Sequence, residues 1–218
     1  MSARLISVLL EALGETALMV VASGAIGFLF GIPLGVLLFL TRPGQLKANR
    51  SLNRTISTLV NAGRSVPFII LLVAILPLTR LLTGTSIGTL AAIVPLTVQA
   101  IPFIARLVEG ALLEVPTSSA EAARILGATT SQVVWRVLLP EALPAILNGA
   151  TITLIALVGY SAMAGVVGGG GLGDIGIRYG YQRFDATVMV AVVVVLIVLV
   201  QAIQLAGERL VRAIDHRN

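Results

Sequence analysis

The chain has 218 residues, of which 57% are hydrophobic and only 11% charged, with a mean hydropathy of +1.01. Soluble domains carry about 25% charged and roughly 45–50% apolar residues, so this composition excludes a water-soluble globule and indicates a chain embedded in lipid. The net charge is +5, but the basic residues sit beside apolar spans rather than on one surface, which points to membrane topology and not to a nucleic-acid partner.

No cysteine is present, which excludes disulfides, thiolate metal sites and a cysteine nucleophile. The single histidine, His216, lies in a charged tail, and the carboxylates do not cluster. No catalytic set and no metal site is therefore expected.

The N-terminus reads Met1-Ser2-Ala3-Arg4 and then a short apolar stretch interrupted by Glu11 and Glu15, which is too broken for a cleaved signal peptide. Leu5, Val8, Leu9, Ala12 and Leu13 share one helical face and predict an amphipathic lead-in helix at the membrane surface.

Five segments, about 16–41, 58–79, 84–105, 144–165 and 186–207, are long enough to cross a bilayer and are read as uncharged. Backbone left unpaired in hydrocarbon is prohibitive, so they should be helices. The expected fold is all-α, a polytopic membrane protein forming one domain over 1–218. Ser23, Gly27, Gly31 and Gly35 place a small residue every four positions in the first span, a stripe against which another helix can pack closely. Pro33, Pro95 and Pro102 predict kinks. The fifth span is nearly pure Val, Ile and Leu over 191–200 and should face lipid. Five spans without an internal repeat are few for enclosing a pathway, which favours a homodimer with the path on its two-fold axis.

Arg42, Lys47, Arg50 and Arg54 follow the first span; Arg106, Arg124 and Arg136 lie between the third and fourth; Arg209, Arg212 and Arg217 follow the fifth. The opposite side holds Arg4, Arg80, Arg178 and Arg183. The excess places the first group in the cytoplasm, with the N-terminus outside and the C-terminus inside.

The long inner loop, 110–143, carries the clearest signal. Thr117 or Ser118 followed by Glu121 predicts an N-cap with a capping acid, and Gly127 a helix stop. Glu121 would then stand in the first turn, where it suits the positive helix end. A second helical stretch is expected over 130–139, with Pro140 and Pro144 marking the approach to the fourth span.

Glu121-Ala122-Ala123, then Gly127, then Val137-Leu138-Leu139-Pro140 resembles the EAA loop of ABC importer permeases, with Val137 where the family form has Ile. The resemblance extends to the methionine-uptake branch over TRPGQ at 41–45, RSVPFIILL at 64–72, TSIGTLAAIVPLTV at 85–98, PFIARLVEGALLEVP at 102–116 and the stretch 150–184. It implies a type I importer architecture, in which Glu121, Ala122, Ala123, Arg124, Gly127, Leu139 and Pro140 form the coupling element that docks on a cytoplasmic ATPase. It also implies a homodimer in the bacterial inner membrane, two ATPase copies that use ATP and Mg, and a lipid-anchored external binding protein that delivers methionine. The chain itself would bind no cofactor.

The fourth span holds the richest polar content: Asn148, Thr151, Thr153, Tyr160, Ser161 and Met163. Asn148, Thr151, Ile155, Gly159 and Met163 share one face, and Thr153, Leu157, Tyr160 and Ala164 another. Tyr160, Ser161, Met163 and Gly165 are candidates for the gate, or else packing residues. Gly169, Gly170 and Gly171 belong to a glycine run that lacks the Gly-Lys-Ser/Thr of a phosphate loop. They are expected to form a flexible outer turn that either contacts the binding protein or simply connects spans. Alternatives to a methionine permease are an ABC permease for another small polar solute and an ion-coupled secondary transporter. The latter usually carries ionisable groups inside its helices.

Overall fold

The computed structural model describes the backbone of residues 3–214 and the side chains of residues 5–214. His216 and Arg217, and the side chain of Arg4, lie outside that range. The described chain is mostly helical, with no strand among the described residues, in agreement with the expected all-α class.

Helix α1 (Ala3–Thr41) is continuous, so the lead-in segment is not a separate surface helix. Its Leu9 and Ala12 are buried against Leu172, Val188 and Val192. The apolar face read as lying on lipid is covered by protein instead. At 1.5 Å per residue the helix is about 58 Å long, nearly twice the ~30 Å hydrocarbon core. Its small-residue stripe packs on α5 (Thr89–Leu113) as expected. A Cβ placed on Gly31 would lie 2.7 Å from Ile104, and one on Gly35 would lie 2.6 Å from the Ala105 carbonyl. Only glycine lets these two backbones approach so closely.

The second span is the main departure from expectation. In place of one helix over 58–79 there are three, α2 (Arg50–Ser65), α3 (Phe68–Ala74) and α4 (Leu76–Thr83), with a bend of 101° between α2 and α3. Val66, ahead of Pro67, adopts extended backbone (φ −81°, ψ 124°), as the residue before a proline prefers. By contrast, α1 runs unbroken through Pro33, and α5 through Pro95 and Pro102. Across Pro67 the partners change, from α1 and α5 on one side to α5 and α8 on the other.

Helix α5 starts later than the expected position 84. Gly84 (φ +75°) ends α4, and the Gly88 N–H donates to the Gly168 carbonyl at 2.9 Å. The fourth span begins earlier than 144. Helix α7 (Thr130–Val133), a π-helical turn (Val134–Leu138) and α8 (Leu139–Val166) form one rod over Thr130–Val166. Pro140 cannot donate, and its ring crowds the preceding turn. The widened turn, in which the Leu139 N–H reaches the Val134 carbonyl, accommodates it without a break. Helix α9 (Gly171–Ile175), a second π-helical turn (Gly176–Tyr181) and α10 (Ala186–Ile214) complete the chain. Among the described residues of α10 only Val188, Val192 and Gly207 are buried, which suits a helix facing lipid.

Candidate functional site

The candidate coupling element is α6 (Thr117–Ile125), which joins the C-terminal end of α5 to the start of α7. Pro116 is its N-cap, and no side chain caps it. The expected cap at Thr117 or Ser118 is therefore corrected: the fixed φ of Pro116 starts the helix early and draws both residues inside it. Glu121 accordingly lies in the second turn rather than the first. The reciprocal capping pair occurs at the next helix, where the Thr129 N–H donates to Gln132 Oε1 (2.8 Å) and the Gln132 N–H to Thr129 Oγ1 (3.3 Å).

Gly127 ends α6 as the sequence predicts. With φ at +84°, it lets its own N–H donate to the Arg124 carbonyl (2.9 Å) and the Ala128 N–H to the Ala123 carbonyl (3.0 Å). Ala120 and Ala123 seat α6 on the bundle core. Glu121, Ala122 and Arg124 are exposed, as are Ile125 (86%) and Leu126 (87%). Exposed Trp135 lies on the following π-helical turn. Leu139 packs on the core, while Pro140 is exposed at the start of α8. Between α6 and the turn after α1 is a cavity of about 320 Å³ lined by Phe39, Leu112, Leu138, Glu121 and Arg124.

Behind this element stands a polar cluster that the sequence did not reveal. Glu109, buried, pairs with Arg106 and lies 3.8 Å from Arg42. Arg106 also donates to the Ser57 carbonyl (3.2 Å) and to Asn61 Oδ1 (3.0 Å), tying α2 to α5. Buried charges persist only when paired in this way, and the i, i+3 spacing of Arg106 and Glu109 was the available signal.

The two faces of helix α8 differ in exposure. Thr153, Leu157 and Ala164 point into the bundle, whereas Asn148, Ile152, Gly159 and Met163 (37% exposed) form a side open in the single chain. Thr151 leaves the first set, because it is buried where α10 passes at Gly207. The gate candidates therefore separate. Met163 is on the open side, and Tyr160 is half-buried with its ring stacked on Phe68 (centroids 4.9 Å apart). Ser161 (2% exposed) donates to the Val158 carbonyl at 2.7 Å, and Gly165 is buried against the backbone of Gly173 and Asp174.

The glycine run is packed rather than flexible. Gly169 and Gly171 are buried, and Gly170 is half-buried. The Gly171 N–H donates to Glu15 Oε2 (2.6 Å) and the Leu172 N–H to Thr16 Oγ1 (2.9 Å). Gly171 holds φ at +75°, and a Cβ there would meet Thr16 Oγ1 at 2.6 Å. At the same end Asp174 pairs with Arg178 and holds its guanidinium more firmly charged than usual. Tyr181 and Phe184 are exposed beside it in sequence.

A family model described as "Binding-protein-dependent transport system inner membrane component" matches residues 27–218. The chain belongs to this family. Among curated relatives of this permease, the probable D-methionine transport system permease protein MetI of Vibrio cholerae is 61% identical over 96% of this chain and 93% of that one. The D-methionine transport system permease protein MetI of Salmonella typhimurium is 58% identical over the full length of both. Among solved structures, a chain of the MetNI methionine ABC transporter in an inward-facing conformation gives a TM-score of 0.97 at 59% identity, covering 99% of this permease and 100% of that chain. An amino acid ABC transporter shares the fold at 19% identity, with a TM-score of 0.74.

Proposed function

We propose that this permease is the membrane-spanning subunit of an ATP-driven methionine importer. The observation that carries the reading is α6, a helix seated by its alanines and presenting Glu121, Ala122, Arg124, Ile125 and Leu126 to a partner, in a chain that follows a MetNI subunit along its whole length. Exposed apolar side chains at one end of a membrane bundle are costly in water and suit a cytoplasmic ATPase. The ATPase binds ATP and Mg; its closure displaces α6, and the displacement passes into α8 through Leu139 and Pro140. A second copy of the chain covers the open side of α8, so that Met163 and Tyr160 meet their counterparts near a two-fold axis and form the gate. Met163 supplies a polarizable surface suited to a thioether. Ser161 and Gly165 support that wall from behind.

The chain lies in a bacterial inner membrane with α6 and the end of α10 in the cytoplasm. The arginine-rich turn after α1 lies on the same side, as the positive-inside rule requires. An external lipid-anchored binding protein delivers the solute to the opposite end, where Gly170, Tyr181 and Phe184 are accessible. The test is reconstitution. Proteoliposomes holding this permease, the ATPase that co-purifies with it and the matching binding protein should accumulate methionine only with ATP. Uptake that continues without ATP and collapses with the ion gradient would overturn the reading.

A further inference from the structure

One charged side chain occupies a position that neither the coupling element nor the gate uses. Arg64 is exposed in the last turn of α2, immediately before the 101° break. Its guanidinium meets no carboxylate among the described residues and lies over the Phe103 ring, 5.8 Å from the centroid. Phe103 and Pro102, against which Gly63 is seated, stand near the middle of the 25-residue α5. Arg64 is therefore at membrane depth, in a segment first read as uncharged. An ionisable group there faces helix partners or a water-filled cavity. Non-helical backbone at that depth is likewise tolerated only inside protein or along such a cavity.

Three further features fix the direction. Asn61, Ser65 and Thr58 are exposed in the arc of α2 that adjoins Arg64, which gives this helix a polar side. Four residues beyond Arg64, just past the break, Phe68 stacks on Tyr160 of the candidate gate. The arginine thus lies on the inner side of that aromatic pair, where the C-terminal end of α2 and a broken helix converge. Broken helices are where membrane transporters hold solutes. A guanidinium over an aromatic ring is planar, weakly hydrated and shaped for two parallel hydrogen bonds to a carboxylate.

We propose that Arg64 is the carboxylate-binding residue of a transit site for amino acids on the cytoplasmic side of the gate. The solute's carboxylate takes the vacant edge of the guanidinium, and the negative end of the α2 dipole receives its ammonium group. The proposal rests on the importer reading and adds to it a selectivity element inside the membrane. A merely structural arginine, complementing the dipole of α2, would leave solute chemistry irrelevant.

The chain has no cysteine, so Ser65→Cys gives the permease one thiol per copy, and labelling in the full complex is read on the separated permease band. In nucleotide-free proteoliposomes with the ATPases outward, a membrane-impermeant thiol reagent should label this thiol. Millimolar methionine should slow labelling several-fold, whereas methioninol, which lacks the carboxylate, should not. Adding Arg64→Gln should abolish the protection, and Arg64→Lys should retain part of it. Uptake by Arg64→Gln should fall about tenfold, the size of a lost charge-assisted hydrogen bond. If the glutamine variant fails to assemble with the ATPase, the contrast between methionine and methioninol in the Ser65→Cys complex decides. Equal protection by the two compounds overturns the proposal, as does a thiol that stays unlabelled because it faces lipid. So does protection that survives Arg64→Gln. Should wild-type uptake show a different carboxylate cargo, that cargo and its alcohol analogue replace the pair, so the choice of solute and the role of Arg64 fail separately.

Discussion

The two ends of this permease are built on opposite plans. At one end, Glu15 and Thr16 of α1 close on the N–H groups of Gly171 and Leu172, and the glycine run is packed between them. That corner is complete within one chain. At the other end, α6 has no buried residue, and Ile125, Leu126 and Trp135 stand in the open. The difference separates what the chain needs in order to fold from what it keeps available for a partner.

Substitutions can break or sharpen that contrast, and their expected effects on the folded chain descend in order. Gly35→Leu forces a side chain into the Ala105 carbonyl and Val108, and should cost about 3 kcal/mol or more. Loss of monodisperse protein in detergent would show it. Glu15→Ala leaves the Gly171 N–H without its charged acceptor and should cost about 2 kcal/mol, read as a lowered unfolding temperature. An unchanged temperature would mean that this corner is held by packing alone. Gly127→Ala places a Cβ in left-handed backbone and should cost about 1–2 kcal/mol while weakening ATPase association. Tyr160→Leu removes the stack on Phe68 while keeping apolar bulk and should cost about 1 kcal/mol, read as a lowered unfolding temperature. Ile125→Asp should shift the unfolding temperature of the isolated permease least, within about 0.5 kcal/mol. Yet it should abolish ATPase co-purification, and retained association would show that α6 docks through another side.

What could be read from the sequence was what local patterning encodes. The Gly27-Gly31-Gly35 stripe, the stop at Gly127 and the lipid-facing character of α10 all follow from residues a few positions apart. The break at Pro67 did not. Pro33, Pro95 and Pro102 obey the same local rule, yet their helices continue, so the proline alone does not announce the break. The pairing of Glu15 with Gly171 spans 156 residues, so nothing near either residue announces it. The run of glycines suggested flexibility for the same reason, since its restraints come from a distant helix. Pro116 was overlooked as a helix start because a hydroxyl residue followed three residues later by an acid, Ser118 and Glu121, imitates a cap. Arg64 was passed over inside an apolar window, although a lone charge in such a window is itself the signal.

The uninterrupted rod from Thr130 to Val166 has a mechanical consequence. From the π-helical turn at Val134 to Met163 the rise is about 44 Å at 1.5 Å per residue. A rocking of only five degrees about that turn would sweep Met163 through an arc of about 4 Å, close to the width of a side chain. In the twofold pair proposed above the two arcs would add, so a slight tilt at the α7 end of the rod would be enough to part opposing methionines by the width of a small solute.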